Sequence, residues 1–259
     1  MALLYEKKDK IAYVTLNRPD AMNALDSETL NDLQRVWTDF KEDHEVLVAV
    51  ITGAGDKAFC AGIDIQEISK GLGDEPKEVF WEPSKARTKL LFEQDIRKPI
   101  IAAINGFCIG AALQLVLECD IRIASENASF SVPEVKIGLA ARGLPLLLAR
   151  TMPLSMVMEM ILTGDSISAQ DAYRCGLVSR LVSPDELIPT AEKIAKSICS
   201  NAPLAVRANK ETILKGVELP FEHASRLAIS LAYAVQNSED YQEGLRAIRE
   251  KRKPEYKGK

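Results

Sequence analysis

Two stretches of small residues in this chain suit the close approach of a ligand to backbone. The first is Gly53-Ala54-Gly55-Asp56-Lys57-Ala58-Phe59-Cys60-Ala61-Gly62-Ile63-Asp64-Ile65. The second is Asn105-Gly106-Phe107-Cys108-Ile109-Gly110-Ala111-Ala112-Leu113-Gln114. Each is expected to join a buried strand to a helix. Small side chains expose the backbone, and the opening turn of a helix leaves N–H groups without intrahelical acceptors. Two such loops face to face can hold one carbonyl oxygen between two N–H donors. That is an oxyanion hole, worth about 3–4 kcal/mol per donor toward a developing enolate. Spacing alone describes ordinary tight turns ahead of helix caps at least as well, and both readings stay open here. Metal chemistry has little to build on. The only histidines, His44 and His223, are far apart and read as surface or packing residues, and no CxxC or HExxH pattern occurs.

The elements that position these loops follow from hydrophobic pattern. Leu3–Glu6 and Ile11–Leu16 are short runs containing β-formers, separated by charged Lys7–Lys10, which predicts a hairpin. Ser27 is expected to cap an amphipathic helix running to about Glu42, with Leu30, Leu33, Val36, Trp37 and Phe40 on its buried stripe. Leu47–Thr52, Pro99–Ile104 and Cys119–Ala124 read as strands, the first two apolar enough to be covered on both faces. Strands separated by helical segments predict an α/β fold with right-handed crossovers. Val178–Val182 is the last strand expected. Ser183 and Pro184 then start a helix, and helical stretches are predicted at 184–200, 203–216 and 220–238. The expected organisation is an α/β core over 1–183 and a helical region over 184–259 that packs on the core or on a neighbouring subunit.

Composition sets the bounds. The chain has 259 residues, 47% hydrophobic and 27% charged, with a net charge of −4. That excludes disorder, collagen-like repeats and coiled coil, and it allows one large core with a small appendage. The slightly acidic balance offers no electrostatic footprint for nucleic acid. The basic tail Lys251, Arg252, Lys253, Lys257 and Lys259 is short. Five cysteines without framework spacing predict reduced thiols in a reducing, cytoplasmic compartment. The N-terminus turns charged at Glu6, before a secretory apolar region could build up, so no secretory signal is expected. Pro99–Leu117 is nearly long enough to span a bilayer. Asn105-Gly106 breaks it and Gln114 lies within it, so it reads as a buried strand, a turn and a buried helix, with no membrane span.

Beyond the loops, several strings occur in a fixed order. They are Ala58–Ile65, Lys98–Gly106, Cys119-Asp120, Ala128-Ser129-Phe130 with Pro133-Glu134 and Gly138, then Leu162-Thr163-Gly164, Ser168–Ala172, Gly176-Leu177-Val178 and Glu250-Lys251-Arg252. Together they resemble the enoyl-CoA hydratase/isomerase (crotonase) superfamily over essentially the whole chain. Ala128–Val182 and the tail are similar to its carnitinyl-CoA dehydratase branch.

The resemblance implies a spiral of ββα units with a helical C-terminal region, assembled as a trimer or as a hexamer of two trimers. It implies an acyl-CoA thioester substrate, with coenzyme A as part of that substrate and no bound cofactor. Matched position by position, the oxyanion donors are the backbone N–H groups of Ile63 and Ala111. The family often has Ala and Gly there, so both donors are kept and bulk is added. The backbone at Ala61, Asp64 and Ile65 resembles the segment that curls around the adenine of CoA. Gln66 stands where hydratases often place a phosphate-binding Lys.

The same matching assigns the two catalytic positions to Gln114 and Glu134. Typical hydratases carry glutamate at both. Gln cannot exchange a proton but can hold a water by hydrogen bonding, which leaves Glu134 as the matched acid–base carboxylate. Asp120 reads as a structural partner near a strand start and Arg142 as a solvent-facing arginine. Phe80, Trp81 and Phe92, flanking a bend at Gly71-Leu72-Gly73, line an acyl pocket or belong to the core. The leading functional expectation is reversible hydration of an enoyl-CoA. One carboxylate would also serve Δ3-to-Δ2 isomerisation. A rival of another class is a weakly catalytic, RNA-associated relative, against which the charge of −4 and the presence of Glu134 both argue.

Overall fold

The computed structural model describes residues 1–66 and 95–259. The expected bend at Gly71-Leu72-Gly73 and the aromatics Phe80, Trp81 and Phe92 lie outside the described residues. β1 (Leu3–Lys8) and β2 (Ile11–Leu16) form the predicted antiparallel hairpin, Leu3 opposite Leu16. Its two turn residues, Asp9 and Lys10, both have positive φ, as a tight two-residue hairpin turn requires. In α1 (Ser27–Glu42) the cap is Asp26 and not the expected Ser27. Asp26 Oδ1 accepts from the backbone N–H of Thr29 at 2.8 Å and from its hydroxyl at 2.6 Å. A carboxylate serves both donors and brings negative charge to the helix start, so the helix begins with Ser27 already inside it.

From here the chain winds as a spiral. Each turn lays one strand in a first sheet, makes a corner, and lays a three-residue strand in a second. The pairs are β3 (Val48–Gly53) with β4 (Ala58–Cys60), β5 (Ile100–Ile104) with β6 (Phe107–Ile109), and β7 (Ile121–Ser125) with β8 (Ser129–Ser131). α2 (Ala111–Leu117) lies between the second and third turns. α3 (Leu144–Ala149), α4 (Leu154–Thr163), β9 (Ile167–Ser168), α5 (Ala169–Arg174) and β10 (Arg180–Val182) complete it. The first sheet has the order β1-β2-β3-β5-β7-β10 and the second β4-β6-β8-β9. Among the described residues only β1/β2 and β8/β9 pair antiparallel. This is the α/β spiral expected from the resemblance.

The apolar strands of the first sheet are covered on both faces, as their continuous hydrophobicity predicts. Ala49, Ile51, Ala102, Ile104 and Ala124 face the main core with Trp37 and Phe40 of α1. Val48, Val50, Ile101, Ala103 and Ile123 face α6 (Leu187–Cys199), which presents Leu187, Ala191 and Ala195. Asparagines hold the corners. Buried Asn23 donates to the carbonyls of Ala54 (3.0 Å) and Ala58 (2.8 Å), and Asn105 bridges Gly53 N–H and Gly55 C=O. A short side-chain amide can satisfy a backbone donor and acceptor at once where the ladder stops.

Ser183 flanks a 3-10 turn at Pro184–Glu186 without a side-chain capping bond, and α6 starts only at Leu187. α7 (Pro203–Gly216) and α8 (Phe221–Gln236) follow close to the predicted bounds. A further helix, α9 (Glu239–Glu250), extends past the predicted limit of 238. No residue of α8 is buried in the single chain, and Ile213, Leu214, Val217, Phe221, Ile229 and Tyr233 of the α7–α8 region are exposed. Among the described residues no helix is long and apolar enough to cross a membrane.

Candidate active site

The first loop leaves β4 and is strapped to the segment that precedes α1. Ala61 N–H donates to Met22 C=O (3.0 Å), Leu25 N–H to Gly62 C=O (2.8 Å) and Asp64 N–H to Leu25 C=O (2.9 Å). Gly62 N–H points at Cys60 Sγ, 3.4 Å away. The N–H groups of Ala61, Gly62 and Asp64 are therefore engaged, whereas that of Ile63 meets no acceptor among the described residues. Any contact of Ala61 or Asp64 with an adenine would have to use their carbonyls. Behind the loop the Arg18 guanidinium forks onto Asp64 Oδ2, both nitrogens at 3.1 Å, and also reaches Ala24 C=O and Asp26. Ile65 and Gln66 are exposed on the outer side.

The second loop turns on Gly110, at φ +55° and ψ −117°, a conformation that suits glycine. Gly110 N–H donates to Ser131 C=O, and its own carbonyl accepts from Leu113 and Gln114 N–H at the start of α2. Ala111 N–H lies in the opening turn, where no intrahelical acceptor exists. The two loops meet: a β-carbon on Gly62 would stand 2.7 Å from Ile109 O and 3.5 Å from Ala111 N. Glycine at 62, with φ +88°, is thus what lets the Ile63 and Ala111 segments close on each other.

Glu134 is delivered by the third turn of the spiral. β8 runs through Val132 into a 3-10 turn at Pro133–Ile137, closed by Gly138 at φ +74°. Leu139 N–H donates to Glu134 C=O at 3.0 Å. The side chain reaches across to the second loop, where a β-carbon on Gly110 would lie 2.5 Å from its Oε1. Its Oε2 is buried without a hydrogen-bond partner among the described residues. Burial pushes the Glu134 carboxyl above the usual carboxylate range, opposed only in part by a hydrogen bond to its own backbone.

Gln114 lies in the first turn of α2, its backbone N–H donating to Gly110 C=O at 3.3 Å, so Gln114 and the Glu134 side chain both border that glycine. The half-buried Gln114 donates from Nε2 to Glu118 Oε1 at 3.2 Å. Its side chain is thus held by a carboxylate, where the sequence had left backbone satisfaction open. Glu118 and Arg18 are the neighbours that sequence reasoning missed. Spacing of four from Gln114 is the signal that could have found Glu118, but nothing in the sequence pairs Arg18 with Asp64. Asp120 takes the structural part expected of it, accepting from Ile100 N–H (2.7 Å) and Lys210 Nζ (2.8 Å). Arg142, His44 and His223 are exposed.

The arrangement offers the Ile63 and Ala111 N–H groups on two adjoining loops and one partly desolvated carboxylate near the second. Such a set can bind a carbonyl oxygen, stabilise negative charge as it forms there, and carry a proton to or from a neighbouring carbon. Among the described residues no cluster of three or more His, Cys, Asp or Glu is placed to hold a metal ion.

Known proteins resemble this chain along its whole length. The family model described as enoyl-CoA hydratase/isomerase matches residues 6–259. The (E)-benzylidenesuccinyl-CoA hydratase of Thauera aromatica is 41% identical over 265 residues, covering 100% of each chain. The carnitinyl-CoA dehydratase of Proteus mirabilis is 40% identical over 257 residues, with 97% of each chain covered. The crystal structure of an enoyl-CoA hydratase/isomerase from Mycobacterium paratuberculosis superposes with a TM-score of 0.88 at 38% identity, covering 100% of this chain and 99% of that one. With the match running from the first hairpin to the last residue, the chain belongs to the enoyl-CoA hydratase/isomerase family.

Proposed function

We propose that this chain catalyses the reversible hydration of an enoyl-CoA thioester. The observation that carries the reading is the half-buried Glu134 side chain, its Oε2 buried and its Oε1 seated against Gly110, the residue before Ala111. The N–H groups of Ile63 and Ala111 hold the thioester oxygen and lower the cost of the enolate. Glu134 takes a proton from water as the hydroxyl adds to the β carbon, then delivers that proton to the α carbon. One water is consumed and Glu134 returns to its starting state. Gln114 orients the water. The raised pKa of Glu134 suits a group that must both accept and return a proton near neutral pH. The backbone at Ala61, Asp64 and Ile65 lies along the adenine, and coenzyme A enters only as part of the substrate.

A second reading, Δ3-to-Δ2 isomerisation, is favoured by Gln114 itself, since one carboxylate suffices to move a proton between two carbons. Hydratase and dehydratase names among the relatives at about 40% identity support hydration. The helical region over 184–259 serves packing and assembly as a trimer or hexamer, supported by the exposed apolar residues of α7 and α8. All five cysteines are free thiols, which suits a cytoplasmic setting.

The test is a panel of 2-enoyl-CoA thioesters followed by loss of the enoyl absorbance. Turnover of at least one is expected. Failure across straight, branched and aromatic acyl chains, with 3-enoyl thioesters converted, would replace hydration by isomerisation.

A further inference from the structure

Backbone hydrogen bonds link Gly110, Gln114 and Glu118 along α2: Gln114 N–H donates to Gly110 C=O at 3.3 Å and Glu118 N–H to Gln114 C=O at 3.1 Å. Glu134 fills the place a Gly110 side chain would take, and Gln114 lies in the first turn that follows. Its Nε2 donates to Glu118 Oε1 at 3.2 Å. A carboxylate only accepts, whereas a primary amide has one donating and one accepting end. Facing Glu118, Gln114 must therefore turn its NH2 group that way and its carbonyl Oε1 the other.

We propose that Glu118 is a positioning residue for water addition, holding the Gln114 amide so that it works as an acceptor at the reacting water. This rests on reading the site as that of a hydratase in which Gln114 orients the water. The attacking water has two hydrogens and one lone pair aimed at the β carbon. Glu134 takes one hydrogen as the new C–O bond forms and returns it to the α carbon. The second hydrogen needs an acceptor, and Gln114 Oε1 is one. An amide turned the other way would donate into the lone pair and compete with attack. Glu118 itself carries no proton in this scheme, so the addition balances without it.

A double-mutant cycle on hydration tests this, built from Glu118→Lys, Gln114→Ala and the pair, with Glu118→Gln alongside. Lysine only donates, so it turns the amide around. We expect Glu118→Lys to lower kcat about tenfold or more with little change in KM, and Glu118→Gln, which can still accept, to lose about threefold or less. In the Gln114→Ala background the lysine substitution should add no further loss. If Glu118→Lys does not fold, Glu118→Leu takes its place, with a smaller kcat loss that likewise vanishes without Gln114. The same kcat loss in both backgrounds, or none in the wild-type background, overturns the positioning role while leaving Gln114 in the site. Hydration unaffected by Gln114→Ala overturns the reading of Gln114 beneath it, and the proposal with it.

Discussion

The Glu134 carboxylate occupies the space that a side chain on Gly110 would need, Oε1 standing 2.5 Å from the position of a β-carbon there. Glycine at 110 therefore does two things: it accepts φ +55°, and it lets the carboxylate reach the start of α2. Gly110→Ala should displace Glu134 and cost about 1–3 kcal/mol of stability from the strained backbone. Turnover should fall at least about a hundredfold, which is the effect of losing a positioned acid–base group. Urea denaturation and steady-state hydration measure the two effects separately. Full activity in this variant would mean that the carboxylate seated there is not the working one.

Removing the proton carrier without changing its shape asks a narrower question. Glu134→Gln is expected to lower turnover by about 10²–10⁴-fold while acyl-CoA binding is largely kept. Calorimetric titration with a saturated acyl-CoA gives the binding half of that statement. A turnover within threefold of wild type would take Glu134 out of the chemistry.

The upward shift of Glu134 also has a sign that stability can report. Folding raises this carboxyl above its ordinary value of 4.5, so the folded state favours the protonated form. Its favourable contribution is complete below the ordinary carboxylate range and is lost as pH rises through the folded value. Glu134→Gln is neutral at every pH. It should therefore melt higher than wild type near neutrality, with the gap closing as the solution is acidified. The acid limb of kcat/KM should correspondingly lie above 4.5, since the ionised form is the base. A wild type more thermostable than the variant at neutral pH contradicts the burial argument.

Much of the frame was legible because its strands are covered on both sides. Val48–Ile51 and Ile100–Ile104 are unbroken apolar runs and are recognisable without any partner. The second sheet was not legible. Ala58–Cys60, Phe107–Ile109 and Ser129–Ser131 are three residues long, too short to show alternation, and are held in place by the spiral's corners. α9 escaped for another reason: half of its residues are charged, and its apolar Tyr241, Leu245 and Ile248 remain exposed. At the site, Gln114 and Glu134 stood out through the motif strings around them. Glu118 and Arg18 act through other side chains, and such pairings depend on where a loop or helix turn comes to rest.

The proposed assembly would cover apolar side chains that the single chain leaves exposed. Phe221, Ile229 and Tyr233 of α8, with Ile213, Leu214 and Val217 before them, are all exposed in the single chain. Trimers or hexamers are expected by light scattering at micromolar concentration. A particle near 28.5 kDa, the mass of one chain, would contradict this.

The central claim is that water is added at carbon, and isotope labelling tests it most directly. A 2-enoyl-CoA turned over in water enriched in oxygen-18 should give a 3-hydroxyacyl-CoA carrying the heavy oxygen, at a rate that collapses with Glu134→Gln. Mass spectrometry reads both the label and the position of the double bond. Conversion of 3-enoyl to 2-enoyl thioester with no heavy oxygen taken up would contradict hydration and leave Glu134 shuttling a proton between two carbons.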